Sequence, residues 1–201
     1  MPKRIDHAQR KREIAEKATK LFSSVGYENV SLIMIAGATG VGRTALYQYF
    51  CSKREVMDAS ITFVTDSVAE ECTRIIATRG TAVERLTGVC HAVTDMMFAH
   101  KEFLVSVFDF VTGMVRTGAD MNANIRAFTS GTRNAIRRLV EQGKQRGEFA
   151  AELVVDRAVD VLYSEFESTA MRIVLGSEKT PKAARVRFSD IISAIAAWRQ
   201  V

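Results

Sequence analysis

The sequence predicts an all-α protein, and three observations carry that expectation. Apolar residues recur at three- and four-residue intervals along most of the chain, with no convincing strand. Only two prolines occur, Pro2 and Pro181, so the long stretch between them lacks the turn residues that a sandwich or barrel needs. Glycines and capping residues fall between the periodic segments and divide them into about nine helices. At 201 residues, 47% hydrophobic and 25% charged, the composition is globular and excludes disorder, collagen and low-complexity sequence.

The helices follow in order. From Asp6 to Val25 the stripe Ile14, Ala18, Leu21, Phe22 and Val25 has helical spacing, and Gly26 ends it. Ser31 caps a second helix to about Ala38, Gly40 breaks it, and a third runs from Arg43 to Tyr49. Ser52 and Glu55 have capping-box spacing, so a fourth helix begins there with Val56, Phe63, Val64, Val68 and Cys72 on its inner side. A second box, Thr81 with Glu84, opens the fifth. A dense apolar helix follows from Lys101 to Val115, before Gly118. Long helices are expected over 119–146 and 152–175, stopped by Gly147 and Gly176. The last starts near Pro181, which suits a first helical turn, and ends near Trp198.

Charge is unevenly placed. Residues 1–54 hold ten Lys and Arg against four carboxylates, whereas the rest of the chain is one charge short of neutral. A basic first quarter on a neutral body points to a local polyanion-binding surface, with nucleic acid ahead of membrane. A solvated Lys-rich helix would give the same count. Cys51, Cys72 and Cys90 are odd in number and lack CxxC spacing, which argues against a disulfide framework or zinc site and favours the reducing cytoplasm. No apolar run is long enough for a signal peptide or a membrane span. His91, Asp95 and His100 do not share one helical face closely enough for a metal site, although His91 and Asp95 stand one turn apart and can bond each other.

The segment Gly37-Ala-Thr-Gly40-Val-Gly42 after an apolar run resembles the phosphate-binding turn of a nicotinamide-dependent reductase. That motif requires a strand before it and βαβ units after it, and the flanking periodicity is helical throughout. Tyr47 with Cys51 also lacks the lysine of a Tyr-x-x-x-Lys pair. No hydrolytic or phosphoryl-transfer motif is present, so no enzyme activity, cofactor or catalytic residue is expected. The same residues fit two short helices joined at Gly40, a helix-turn-helix whose second helix enters a major groove. At about 100° per residue, Arg43, Thr44, Tyr47 and Gln48 share one face, while Ala45, Leu46 and Tyr49 turn inward. Arg forks onto guanine, Gln onto adenine, and Thr bonds a base edge or touches a thymine methyl. Lys53 has the position and charge for a phosphate.

Residues 8–56 resemble the DNA-binding domain of the TetR family of transcriptional regulators. The resemblance rests on Ser31, Ile35-Ala36, Gly40-Val41, Leu46-Tyr47, Phe50, Ser52-Lys53 and Glu55-Val56, with Ala15, Ala18, Leu21, Phe22 and Gly26-Tyr27 upstream. It implies that Arg43, Thr44, Ala45 and Gln48 face bases, with Tyr47, Tyr49 and Lys53 mainly at the backbone and Ser31 and Gly42 at the helix starts. Gly42 stands where the family usually has serine, Thr39 where it has alanine, and Tyr49 where it often has histidine.

The implied organisation is a DNA-binding domain over 1–51 and an effector-binding, dimerising domain over 52–201. Met97, Phe98, Phe108, Met114 and Phe128 supply soft side chains suited to an apolar effector, or equally to a plain core. By the resemblance, the last two helices pair with their copies in a homodimer. Leu162, Phe166, Ile173, Ile191, Ile195 and Trp198 would supply that interface, unless they only fill a monomer core. The expected protein is a ligand-released repressor acting as a dimer on a palindromic double-stranded operator.

Overall fold

The computed structural model describes residues 6–118 and 121–197, the side chains of 121–128 excepted. The described residues form α1 (His7–Val25), α2 (Leu32–Thr39), α3 (Arg43–Leu46), α4 (Lys53–Ile76), α5 (Ala82–Ala99), α6 (Lys101–Arg116), α7 (Met121–Gln145), α8 (Val155–Val174) and α9 (Lys182–Ala197). No strand occurs among them. The segment Leu32–Ile35, where a nucleotide-binding fold needs its opening strand, is helix.

The chain divides into two compact units. One comprises Met1–Asp66 and Glu102–Phe128, the other Ser67–Lys101 and Thr129–Val201. Helix α4 contributes residues to both, and α6 belongs almost wholly to the first.

In the first unit, the Asp6 carboxylate caps α1 by accepting from the amides of Ala8 and Gln9 at 3.0 and 3.2 Å. This satisfies donors that have no intrahelical partner. Gly26 ends the helix at φ 78°, a backbone conformation that side chains resist. Ile14, Ala15, Ala18 and Phe22 are buried, whereas the expected stripe member Val25 is left exposed at the helix end. Ile35, Leu46, Phe50, Val56 and Met57 complete the small core. Two hydroxyls tie α1 to its neighbours: Ser60 of α4 donates to Ala15 O at 3.2 Å, and Ser106 of α6 donates to Phe22 O at 2.7 Å. Phe110 of α6 meets Tyr27 edge-on at 4.9 Å.

In the second unit, the Thr81–Glu84 box is complete: Thr81 Oγ1 accepts from Glu84 N at 3.0 Å and the Glu84 carboxylate from Thr81 N at 2.9 Å. The Glu148 carboxylate accepts from the next two amides, Ala82 and Val83, so the start of α5 has its orphan donors filled. Arg85 is buried and donates to Ile76 O at 3.0 Å, capping the end of α4. The α8–α9 corner is closed by Arg187, whose guanidinium holds Glu165 at 2.6 Å and Glu178 at 2.8 Å. Phe166 packs on Phe188 at 4.4 Å.

His91 and Asp95 do not bond each other. His91 Nε2 lies 3.1 Å from Arg185 O and 3.2 Å from Ser189 Oγ, while Asp95 pairs with the Arg185 side chain. Both reach across to α9, which offers stronger partners than the neighbour one turn away.

Candidate nucleic-acid interface

The turn between α2 and α3 follows from Gly40. Its φ of 69° is left-handed, and Val41 N–H reaches back to Ala36 O at 3.2 Å while Gly40 N–H reaches Gly37 O at 3.4 Å. This is a Schellman closure, in which glycine bears the left-handed residue at no steric cost. Thr39, just before it, is buried. Its hydroxyl donates to Ile35 O at 2.8 Å, so the polar atom is satisfied within α2. The Lys17 ammonium adds a bond to Thr39 O at 3.3 Å, tying α1 to the end of α2.

Ser31 caps α2 by accepting from Met34 N at 3.2 Å. Gly42 starts α3 with no side chain to cap it. Helix α3 is shorter than the expected 43–49. Beyond Leu46 the chain tightens into i→i+3 bonds, Gln48 N to Ala45 O at 3.1 Å and Tyr49 N to Leu46 O at 2.9 Å. Arg43, Thr44, Tyr47 and Gln48 are all exposed, Ala45 is half-buried and Leu46 is buried. One side of the segment thus offers a guanidinium, a hydroxyl, a phenol and an amide, which are side chains that read base edges and backbone oxygens.

Two expected contacts are placed differently. Tyr49 is 9% exposed, and its ring lies 4.8 Å from that of His7. The Lys53 ammonium donates to Tyr27 O at 2.9 Å and Glu28 O at 3.2 Å and sits 4.4 Å above the Tyr27 ring. It anchors the loop between α1 and α2. The Tyr27 phenol beneath it is pushed above its ordinary value, chiefly by burial. Helix α2 has no ionisable side chain and exposes Ile33 (60%) and Met34 (38%).

The expected effector residues are split between the units. Met97 is buried and Phe98 half-buried on α5, in the second unit, while Phe108 and Met114 are half-buried on α6, in the first. An open groove of about 520 Å³ runs along α1 and α4, lined by Lys11, Arg12, Phe63 and Asp66 among others, and includes none of these four. Of the expected interface residues, Leu162, Phe166 and Ile173 are buried within the protomer, and Ile191 and Ile195 are half-buried. The large apolar residues that α8 and α9 expose are Val161, Met171 and Val186, with Leu175 just beyond α8 at 71%. Phe128 (its side chain) and Trp198 lie outside the described residues. The described residues hold no group of three or more metal-ligating side chains and no helix long and apolar enough to cross a membrane.

Residues 14–59 match the family model for bacterial regulatory proteins of the tetR family. The chain thus carries the DNA-binding domain of the TetR family. It is accordingly a DNA-binding transcriptional regulator. The HTH-type transcriptional regulator PksA of Bacillus subtilis (strain 168) is 26% identical over 185 residues, covering 90% of this chain and 87% of that protein. The HTH-type transcriptional regulator HbdR of Aromatoleum sp. (strain CIB) is 36% identical over 92 residues, which are 46% of this chain but only 38% of HbdR. Among solved structures, the transcriptional regulator FadR from Bacillus subtilis in complex with stearoyl-CoA shares the fold at a TM-score of 0.72 and 18% identity, over 94% of this chain and 98% of that one.

Proposed function

We propose that this chain is a ligand-responsive repressor that binds a palindromic operator as a homodimer and is released by a small, apolar effector. The observation that carries the reading is the exposed quartet Arg43, Thr44, Tyr47 and Gln48 on a segment held rigidly by the Gly40 turn and the buried Leu46. Arg43, Thr44 and Gln48 read bases, with Ala45 close against them. Ser31, Gly42 and Tyr47 meet the sugar-phosphate backbone. Tyr49 and Lys53 act by placing this surface, since Tyr49 is buried and the Lys53 ammonium is bonded to Tyr27 O and Glu28 O. The DNA-binding domain is 1–51, and 52–201 binds the effector and dimerises.

Dimerisation is supported by the large apolar residues exposed on α8, just beyond its end and on α9, Val161, Met171, Leu175 and Val186, with the small residues Ser164 and Ala194 also exposed on these helices. One recognition helix touches too few bases for useful specificity, and two on adjacent turns of a palindrome roughly double the contacts. An apolar effector is supported by the soft side chains of Met97 and Phe98 within the second unit, and by the acyl-CoA named for the FadR relative in fold. Release is a population shift: the effector favours a conformation whose recognition helices no longer fit the operator, with a coupling of about 1–3 kcal/mol. The three free cysteines suit a reducing cytoplasm.

Selection of bound fragments from the source genome, followed by anisotropy titration, tests the reading. The expected result is a palindromic site whose preference relaxes in Arg43→Ala at a cost of about 1–3 kcal/mol. An Arg43→Ala chain with unchanged base preference removes α3 from direct readout. Light scattering should return about twice the 22.3 kDa chain mass, and a monomer at micromolar concentration overturns the dimeric scheme.

A further inference from the structure

The DNA-reading segment is weakly held by its own local bonds. Helix α3 has four residues. The first turn of a helix fixes several dihedrals for one hydrogen bond, so a helix this short does not hold itself together in water. Gly42 gives its start no side-chain cap, and no acidic residue stands in its first turn to suit the helix dipole. Gln48 lies beyond its end, where the backbone has tightened into i→i+3 bonds. The order of the base-reading side chains therefore depends on contacts from elsewhere in the domain.

Helix α1 grips the segment at both ends. At the far end Tyr49 and Phe50 are buried, and α1 covers their rings. His7 stacks on Tyr49 with centroids 4.8 Å apart, and the Lys11 ammonium stands 5.4 Å from the Phe50 centroid. At the near end the Lys17 ammonium donates at 3.3 Å to Thr39 O, the carbonyl just before the left-handed Gly40. Helix α1 is itself fixed without help from α3, by the Asp6 cap, by its buried residues Ile14, Ala18 and Phe22, and by Ser60 of α4 on Ala15 O. The side chains of His7 and Lys17 are exposed, so neither adds much to the core. What each fixes is the place of one end of the reading segment.

We propose that His7 and Lys17 are positioning residues that set base specificity. His7 fixes the Gln48 end through Tyr49, Lys17 fixes the Arg43 end through the Thr39 carbonyl, and neither touches DNA. The inference rests on the DNA-reading function proposed above. A two-bond fork from arginine or glutamine onto a base edge requires placement within about 0.5 Å, so a loosened end costs discrimination between bases before it costs attraction to phosphates.

The test titrates the full chain against the selected operator and against operators altered at the pairs whose preference Arg43→Ala or Gln48→Ala abolishes. The ratio of two affinities from one sample cancels any loss of folded protein. A well-made fork gives a ratio of about 5- to 150-fold. His7→Ala should cut the ratio at the Gln48 pair by about threefold or more, and His7→Phe, which keeps a ring on Tyr49, should restore it. Lys17→Met should do the same at the Arg43 pair, with Lys17→Arg restoring it. All four variants should keep the wild-type slope of log K against log salt, because no phosphate contact is lost. A full ratio in His7→Ala or in Lys17→Met overturns the role of that residue. An equal loss at both pairs overturns the assignment of each residue to one end. A slope flattened by about one, or a His7→Phe chain that restores nothing, overturns positioning in favour of direct contact with DNA. Failure of the wild-type chain to select any duplex overturns the function itself.

Discussion

Lys53 separates two roles that one cation cannot fill together. Family resemblance puts it on a phosphate, whereas the structure commits its ammonium to Tyr27 O, Glu28 O and the face of the Tyr27 ring. Lys53→Met keeps the aliphatic stem and removes the charge. Hydrogen bonds from a charged donor are worth about 1.5–3 kcal/mol each when fully buried. Here the site is only partly buried and the released carbonyls regain water, so roughly 0.5–1 kcal/mol per bond is the appropriate scale. The cation–π contact adds about 0.5 kcal/mol at such exposure. The expected loss is therefore about 1.5–2.5 kcal/mol, which at an m-value near 2 kcal/mol/M moves the urea midpoint down by about 0.75–1.25 M. Operator binding, measured on the folded fraction, should keep its salt slope. An unchanged midpoint with a slope lower by about one would refute the reasoning and return Lys53 to the phosphate backbone.

Three further predictions follow from packing and charge. A Cβ at Gly143 would lie well inside contact with the Phe149 ring and 3.1 Å from Ala82 Cβ, so Gly143→Ala should cost about 1–3 kcal/mol in urea melts despite the helix-favouring change. Removing the guanidinium in Arg187→Leu leaves the largely buried carboxylates of Glu165 and Glu178 facing each other, and the midpoint should drop by more than in Glu165→Gln. The backbone and side-chain bonds from Thr81 hold the Glu84 carboxyl below its ordinary 4.5. Because the folded pKa is depressed, its contribution is present above pH 4.5 and disappears as pH falls through the lowered value. Glu84→Gln should remove that part of the acid-side slope, and an identical acid limb would contradict it.

Local signals were the legible ones. Ser31, Gly40 and the Thr81–Glu84 box act on amides within a few residues, so spacing alone located them. The Ser52–Glu55 box was legible in part: Ser52 Oγ accepts from Glu55 N at 3.1 Å, but the Glu55 carboxylate turns to Cys51 N at 2.8 Å. The commitment of Lys53 was not legible, because its acceptors lie 25 and 26 positions upstream and only the folded loop brings them near. His91 and Asp95 misled for the same reason, since α9 arrives from far along the chain. Periodicity showed that Leu162, Phe166 and Ile173 face an apolar partner. It did not show that the partner is their own protomer, because burial against α9 and burial against a second copy leave the same pattern.

Helix α2, without a single ionisable group and with Ile33 and Met34 uncovered, sets how the molecule behaves in a tube. Sulfate and phosphate salts strengthen the mutual attraction of uncovered apolar surface. Ile33→Arg should therefore remain dissolved at ammonium sulfate concentrations that precipitate the wild type. The same neutrality means that α2 adds nothing to long-range electrostatic steering, so capture of a duplex from a distance falls to cations elsewhere on the chain.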